Sequence, residues 1–409
     1  MLRTVVNSAS LRAAWALALG GTAFTLGNLV LARALPAAEY GLLSLVIGVL
    51  SVASLAAPLG IDLVVARRGM QLGALLRRRA LAASLLTGLV AAAVCSAAYG
   101  LNGVLVAAIA IGTAAAGVVQ AGVAHFQGAR RFGIAAWLLQ ITNLALLPVA
   151  LIALLWGMRT AAIPSVLLAL ATAVGAVGAW ILVISQKGPE QSPLRLGAMW
   201  REALSLLAIT MASSVFMQLE RLVLIPTVGV HGLALFGVVA ALVGSPFRMI
   251  QSAVLFTLIP NMRAAQSTSE RRRLLGREIA VVSGALVVGA TAIWLAAPPV
   301  AHWFLGGRYD LTDALMAAAI VSGLLKVGSA FATAVAVALG DATELRRVSL
   351  TAWLSVGISV AGAFLARDWG LTGVLYGISA GWLVRTCAAT WIAAPHLLQR
   401  RGGLPHPAR

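Results

Sequence analysis

Charged residues inside apolar stretches are the residues of this chain that could do chemistry. The apolar stretches of its second half contain four cations and one acid: Glu220, Arg221, Arg248, Lys326 and Arg385. If these stretches cross a membrane, each charge costs about 2.5–3.5 kcal/mol and normally faces a cavity or a partner. One carboxylate can neutralise only one of the cations. The set therefore predicts an interior that attracts anions.

Polar residues recur at helical spacing around these cations. Residues three or four positions apart share one face of a helix. Gln251 follows Arg248 by three positions, and Ser329 follows Lys326 by three. This spacing predicts hydrated helix faces, although a cation that pairs with an acid to fix helix packing remains the alternative at each position.

Glu220 and Arg221 are adjacent, so their side chains point about 100° apart on a helix and cannot line one face together. Arg221 aligns with Gln218 three positions earlier. We expect Glu220 to meet another helix, either in an ion pair or as a coupling site. Arg221 joins Arg248, Lys326 and Arg385 as a candidate ligand for an anion.

Gly373, Gly377 and Gly381 precede Arg385 at a strict spacing of four residues. Small residues at this spacing allow two helices to approach closely. The stripe predicts either a helix packing seam or a smooth groove along which a lipid chain passes while its charged head meets Arg385.

Signatures of enzymes are missing from the sequence. It has no P-loop, no His/Cys set at metal-ligand spacing and no carboxylate pair within an apolar stretch. We therefore predict a protein that is not an enzyme and that uses no metal or cofactor. The two cysteines, Cys95 and Cys387, indicate no disulfide framework.

Twelve apolar stretches of about twenty residues must position these side chains. The 409-residue chain is 61% hydrophobic and 10% charged. A membrane core of roughly 30 Å takes about 20 residues of helix, and only helices satisfy their backbone groups within one segment there. The sequence predicts an all-α polytopic membrane protein of about twelve spans. The spans are Leu11–Ala32, Leu42–Ile61, Ala80–Tyr99, Gly103–His125, Ile134–Leu155, Ala161–Ser185, Ala203–Pro226, Leu233–Ile259, Ile279–Phe304, Ala314–Leu339, Val348–Ala366 and Leu371–Ala394.

The basic residues predict the orientation of these spans. With a cytoplasmic N-terminus, 22 of the 30 Lys and Arg residues lie in cytoplasmic segments and 4 in external ones. Such a bias is typical of cytoplasmic loops, so both termini are predicted to be cytoplasmic in the plasma membrane. The net charge of +18 then reflects orientation and attraction to anionic inner-leaflet lipids, not nucleic-acid binding.

Reporter fusions test this orientation. Fusions after Gly188 and Arg401 are expected to be cytoplasmic, and fusions after Ala38 and Gly307 external. Alkaline phosphatase is active only outside the cytoplasm, so its activity at each site measures the topology. An external reading at Arg401 would contradict twelve spans.

The sixth and seventh spans are separated by a polar segment containing prolines, which is typical of a linker. We predict a six-helix lobe at 1–185, a cytoplasmic linker at 186–202 and a second six-helix lobe with a short basic tail at 203–409. Both lobes begin on the same membrane side because six is an even number. They would be parallel repeats, as in some transporters.

Short patterns resemble the multidrug/oligosaccharidyl-lipid/polysaccharide (MOP) exporter superfamily, in its polysaccharide and O-antigen flippase branch. Glu220 stands where the family usually has Asp, and Pro36 stands where it usually has Gly. The matching segments are Ala32–Gly41 after helix one, Pro58–Asp62 closing helix two, Gln218–Leu222 in helix seven and Leu258–Pro260 closing helix eight.

The resemblance implies flipping of undecaprenyl-pyrophosphate-linked oligosaccharide or polysaccharide repeat units to the outer leaflet by alternating access. Polymerase or glycosyltransferase partners are implied with it. A cation-coupled multidrug exporter remains the first alternative, although Leu11–Ala32 contains no acid. A peptidoglycan-precursor flippase is disfavoured, because we would expect fourteen spans and cations in its first lobe. A membrane scaffold for glycan-assembly enzymes would have no use for costly interior cations.

Overall fold

The computed structural model describes residues 9–186 and 196–398, and every regular element in those ranges is helical. The prediction of an all-α polytopic fold is confirmed. The α-helices are α1 Ala9–Ala34, α2 Ala37–Ala56, α3 Ile61–Arg68, α4 Ala74–Tyr99, α5 Gly103–Gly128, α6 Phe132–Leu139, α7 Ile141–Leu155, α8 Ala162–Ser185, α9 Leu196–Val239, α10 Ser245–Ala264, α11 Thr268–Leu305, α12 Asp313–Leu339, α13 Ala342–Leu365 and α14 Gly370–Leu398.

Within the described ranges, nine helical stretches are long and apolar enough to cross a membrane. One of them, Met199–Ala264, is 66 residues long and contains two of the predicted spans. The helices α1 and α14 correspond to the first and last predicted spans. Length and apolar composition therefore agree with a multi-pass membrane protein.

The seventh and eighth predicted spans are separated by a break at Gly229, within the gap predicted at 227–232. The helix α9 leads through a π-helical turn at Ala240–Gly244 into α10. Pro226 lies inside α9 without ending it, and the break comes at Gly229, where φ is 78° and ψ is 180°. Glycine adopts positive φ without a steric penalty, so the helix can break at Gly229. A proline inside a spanning helix removes a backbone hydrogen bond, but neighbouring groups can satisfy the freed carbonyl, so the helix can continue past Pro226.

The fifth predicted span, Ile134–Leu155, lies within the apolar stretch Phe132–Leu155, which has a local break at Gln140 between α6 and α7. The Gln140 side-chain oxygen accepts a hydrogen bond of 2.8 Å from Nδ2 of Asn143. A Cβ atom on Gly20 of α1 would lie 2.0 Å from the same oxygen. A buried amide that needs partners thus sits at the break, in direct contact with α1.

The second predicted span ends earlier than expected, at Ala56 instead of Ile61. Ala57, the residue before Pro58, still has helical φ and ψ, so the proline alone does not account for the end of α2. Leu59 and Gly60 then adopt positive φ. A Cβ atom on Gly60 would lie 2.2 Å from the carbonyl oxygen of Ala203 in α9, so only glycine fits this approach.

The chain forms two compact packing units. Unit 1 comprises Met1–Ala241 and Ala301–Asp310, and unit 2 comprises Leu242–Val300 and Leu311–Arg409. These limits differ from the predicted lobes, which divide at 186–202, and residues 187–195 of that predicted linker lie outside the described ranges. The repeat relation of the two lobes remains a prediction.

Each unit is built around one helix with many neighbours. In unit 1, α5 packs against α2, α4 and α8, while α2 also packs along α9. In unit 2, α14 packs against α12 and α13, and α12 packs against α10. The helices α10, α12 and α14 are those that carry Arg248, Lys326 and Arg385, so the unit brings the three cation-bearing helices together.

Candidate functional site

Two of the predicted site residues meet at one buried aromatic ring in unit 2. Nζ of Lys326 lies 5.7 Å from the centroid of the Trp382 ring, and Cζ of Arg385 lies 5.5 Å from the same centroid. Trp382 is only 1% exposed. Lys326 is the central residue of α12, and Arg385 lies close to the centre of α14. The structure therefore gathers two cations from two helices at mid-helix level.

Arg248 lies on α10, which packs against α12. The neighbouring residue Phe247 is buried against α12, where a Cβ atom on Gly323 would lie 2.5 Å from the Phe247 ring. Gly323 precedes Lys326 by three residues, which is nearly one helical turn. The absence of a side chain at Gly323 thus allows α10 and α12 to approach closely beside Arg248 and Lys326.

The polar neighbours of these cations are also buried. Gln251 beside Arg248 is 6% exposed, and Ser322 and Ser329 beside Lys326 are buried as well. The side-chain oxygens of Gln251 and Ser322 have no hydrogen-bond partner among the described residues. A buried polar atom without a partner costs free energy, so these oxygens indicate a place that water or a polar ligand occupies.

The arrangement can bind an anion. Cation–π contacts with a desolvated tryptophan contribute about 2 kcal/mol and hold a cation in place without neutralising its charge. The Arg385 guanidinium offers a planar set of donors that matches phosphate oxygens, whereas Lys326 contributes a compact charge. None of the Asp and Glu residues of unit 2 lies within a predicted span.

Structural comparison identifies the fold. The chain superposes on the lipid II flippase MurJ in an inward closed conformation with a TM-score of 0.68 at 10% identity, covering 94% of this chain and 90% of that one. An inward-facing multidrug resistance MATE family transporter of the MOP superfamily gives a TM-score of 0.60 at 16% identity, covering 94% and 98%. The chain has the fold of the MOP superfamily.

The chain also superposes on a variant of the Vibrio cholerae MATE transporter VcmN, with a TM-score of 0.62 at 15% identity over 96% of this chain and 98% of that one. No protein-family model and no curated protein matches the sequence itself. The resemblance inferred from short sequence patterns is therefore confirmed for the superfamily at the level of fold.

Arg221 and Glu220 lie in unit 1, not in unit 2 with the other three cations. Both residues are 2% exposed. Nη1 of Arg221 donates a 3.0 Å hydrogen bond to Oε1 of Gln218, as their spacing predicts, and Cζ of Arg221 lies 5.6 Å from the Phe24 ring centroid. A Cβ atom on Gly48 would lie 2.9 Å from Cβ of Arg221. Arg221 is thus packed between α1 and α2 within the first unit of the MOP fold.

The glycine stripe of α14 lies against α13. A Cβ atom on Gly377 would lie 2.3 Å from the carbonyl oxygen of Gly362, and one on Gly381 would lie 2.0 Å from Oγ of Ser359. Gly373 approaches the carbonyl oxygen of Ala366 in the same way, at 2.5 Å. Backbone and side-chain atoms of α13 fill the space along the stripe, so the predicted alternative of an open groove does not hold in this structure.

Trp382 is the site residue that sequence reasoning missed. Its spacing of three residues before Arg385 placed it on the same helix face, and that signal was available in the sequence. Its proximity to Lys326 could not be read from the sequence, because the two residues are 56 positions apart and lie on different helices. No group of three or more His, Cys, Asp or Glu residues that could hold a metal occurs in the described part of the chain.

A second buried acid, Asp62, lies outside the spans in the first turn of α3. It is 6% exposed, and its Oδ1 has no hydrogen-bond partner among the described residues. Burial raises the pKa of Asp62 to about 6, while hydrogen bonds from the backbone N–H groups of Asp62 and Leu63 partly offset the rise. The carboxyl is therefore neutral in mild acid and charged at neutral pH.

This pKa predicts a stability difference that depends on pH. Because the folded-state pKa lies above the unfolded value, the neutral Asp62 contributes fully below about pH 4, and its contribution falls as the pH rises to about 6 and above. Asp62→Asn should match the parent near pH 4 and exceed its free energy of unfolding by about 2–3 kcal/mol at pH 7.5. Thermal unfolding of both purified proteins between pH 4 and pH 8 measures the difference, and a pH-independent difference would contradict the burial of a neutral acid.

Proposed function

We propose that the protein flips a lipid-linked glycan carrying a diphosphate from the inner to the outer leaflet of the plasma membrane. The observation that carries this proposal is the pair of cations, half-buried Lys326 and buried Arg385, at the Trp382 ring, with Arg248 on the adjacent helix. A diphosphate presents several oxygens with negative charge, which suit an Arg fork and a Lys point charge together.

The cost of the cations supports a transport role over a scaffolding role. Each charge within a membrane span makes insertion of its helix less favourable. A scaffold would gain nothing from three such charges in one packing unit. A transporter gains a binding site at mid-membrane level. The MOP fold supports this reading further, because its relatives include a lipid II flippase and multidrug transporters.

The second candidate is a cation-coupled multidrug exporter, which the MATE structures favour. Such an exporter would bind cationic drugs and would need acids near its binding cavity. The described cavity in unit 1, which α1, α2 and α5 to α8 line, has no acidic residue in its lining. The charges of unit 2 would repel a cationic drug. Both observations favour an anionic substrate.

Glu220 is the acid that we assign to coupling or to an ion pair within this scheme. It is buried in α9, at 2% exposed. We also assign the cytoplasmic arginines to contacts with anionic inner-leaflet lipids, and we expect a polymerase or glycosyltransferases as partners. In this scheme both termini are cytoplasmic.

Reconstitution into vesicles tests the proposal. Fluorescent undecaprenyl-pyrophosphate-linked sugar is placed in both leaflets, and dithionite, which does not cross the membrane, bleaches the outer leaflet. Active protein should allow nearly all of the fluorescence to be bleached, whereas empty vesicles should keep about half. Uptake of ethidium is measured in the same vesicles. Cation transport without movement of the lipid-linked sugar would overturn the flippase proposal in favour of the drug exporter.

A further inference from the structure

Unit 1 contains a cavity of about 120 Å³ that no part of the proposed cation site uses. Phe24 of α1, Leu50 of α2 and Leu146 of α7 form part of its apolar wall. Thr142 and Asn143, at the beginning of α7, also line it. The lining residues that can form hydrogen bonds are Ser51, Ser54, Gln120, Thr142, Asn143 and Thr172, and none of the lining residues is charged.

Existing hydrogen bonds use most of the donors of this lining. Oγ of Ser51 donates to the carbonyl oxygen of Ile47 at 2.7 Å, and Oγ1 of Thr172 donates to that of Leu168 at 2.8 Å. Nδ2 of Asn143 donates to Oε1 of Gln140 at 2.8 Å. Hydroxyl and amide oxygens keep acceptor lone pairs after such bonds. The cavity therefore presents mainly acceptors, with the Gln120 amide as a group of both kinds.

A ligand that complements this surface must donate several hydrogen bonds and carry no charge. A negative ligand would find few donors, and a buried cation would find no carboxylate in the lining to compensate its loss of hydration. Hydroxyl groups on a partly apolar ring satisfy both requirements, because each O–H donates while the C–H faces contact the Phe24 and leucine wall. Binding sites of this kind combine apolar walls with a few placed polar groups.

We infer that the cavity in unit 1 is a binding site for an uncharged sugar ring. The chemistry of the lining carries this inference by itself. It rests on the proposed function only for the source of the sugar, which would be the glycan of the transported lipid. Sodium is the other species that neutral oxygens bind well, so the experiment must separate sodium from sugar.

Saturation-transfer difference NMR tests the site on the full-length protein in nanodiscs that contain no glycoside detergent. The probe is methyl β-D-glucopyranoside at millimolar concentration. We expect transfer to the sugar ring protons in the parent protein and at least a threefold loss in Gln120→Met and in Thr142→Val. These variants keep side-chain size while removing hydrogen-bonding groups, and Thr142→Val serves if Gln120→Met does not fold.

Two variants serve as controls that should keep the signal. Ser185→Ala changes an exposed hydroxyl that donates to Leu182 at the end of the same helix as Thr172. Arg385→Gln changes the proposed diphosphate site in unit 2, so a sugar signal that survives there separates the two sites. Equal transfer in the parent and both cavity variants would overturn the sugar site. No sugar signal, together with stabilisation by sodium chloride over choline chloride that the variants lose, would overturn it in favour of sodium.

The outcomes also separate this inference from the proposed function. A sugar signal that depends on the cavity, with no flipping in vesicles, would leave the site standing and reject the flippase. Flipping without any sugar signal would reject the cavity site alone.

Discussion

Arg385→Gln is expected to abolish export of lipid-linked glycan while the protein remains in the membrane at its normal level. The substitution removes a positive charge and the guanidinium donors from the site formed by Lys326, Arg385 and the Trp382 ring. It also relieves α14 of a charge that costs about 2.5–3.5 kcal/mol to bury. The lost cation–π contact contributes about 2 kcal/mol in the opposite direction, so the net change in stability is small. Surface glycan and protein level are measured in a strain that lacks the native copy.

Two further variants sharpen this result. Arg385→Lys should rescue export only partly, because an ammonium group keeps the charge but cannot form the bidentate fork. Trp382→Phe keeps a ring beside the cations, whereas Trp382→Leu removes it, so the phenylalanine variant should export more glycan than the leucine variant. More export from the phenylalanine variant than from the leucine variant would show that an aromatic ring positions the cations and that side-chain volume alone does not explain the effect.

The combined variant gives the strictest test of the cation site. Arg248→Gln, Lys326→Gln and Arg385→Gln together should leave lipid-linked glycan on the cytoplasmic leaflet. Normal surface glycan from this triple variant would reject the site. Loss of the protein itself would show that the cations hold the helices of unit 2 together.

Gly377→Leu is expected to prevent the packing of α14 against α13 and so to lower the yield of folded protein severely. A Cβ atom at this position would lie 2.3 Å from the Gly362 carbonyl oxygen and 2.4 Å from its carbon. Both are backbone atoms, so the clash can be relieved only by separating the helices. We expect a destabilisation of about 3 kcal/mol or more. Heating of the detergent-solubilised protein, followed by size-exclusion chromatography, measures the loss.

Gly357→Leu is the matched control for this substitution. Gly357 lies on α13, and a Cβ atom there would meet nothing within 4 Å. The variant adds the same side chain to an exposed surface, so its melting temperature should stay within a few degrees of the parent. Equal loss in both variants would mean that glycine itself, and not the close approach, is needed in these helices.

The all-helical, multi-pass fold was predictable because a membrane imposes it through composition alone. Hydrocarbon offers no partner to backbone groups, so each apolar stretch of about twenty residues must be a helix wherever it packs. The resemblance of short segments such as Gln218–Leu222 to the MOP superfamily was sufficient to predict its fold. The cations were predictable as candidates for the same reason, since their cost does not depend on their neighbours.

Helix boundaries were predictable only in part. The helix α2 ends at Ala56, two residues before Pro58, whereas Pro226 lies inside α9 and the break there comes at Gly229. Proline alone therefore does not fix a helix end, because neighbouring groups can replace a lost backbone hydrogen bond. The break at Gln140 likewise depends on its contacts with Asn143 and with α1.

The partners of each side chain were decided by the tertiary structure alone. Helical spacing identifies which residues share a face, but it contains no information about the helix that packs on that face. The sequence was compatible with the glycine stripe forming either a packing seam or a groove, and the close contacts with α13 show a packing seam. It grouped Arg221 with the other cations, and packing placed Arg221 in unit 1 beside Phe24. Trp382 could be identified as a site residue only from the structure, in which Lys326 of α12 lies beside its ring. That contact depends on the three-dimensional path of the chain and not on any local pattern.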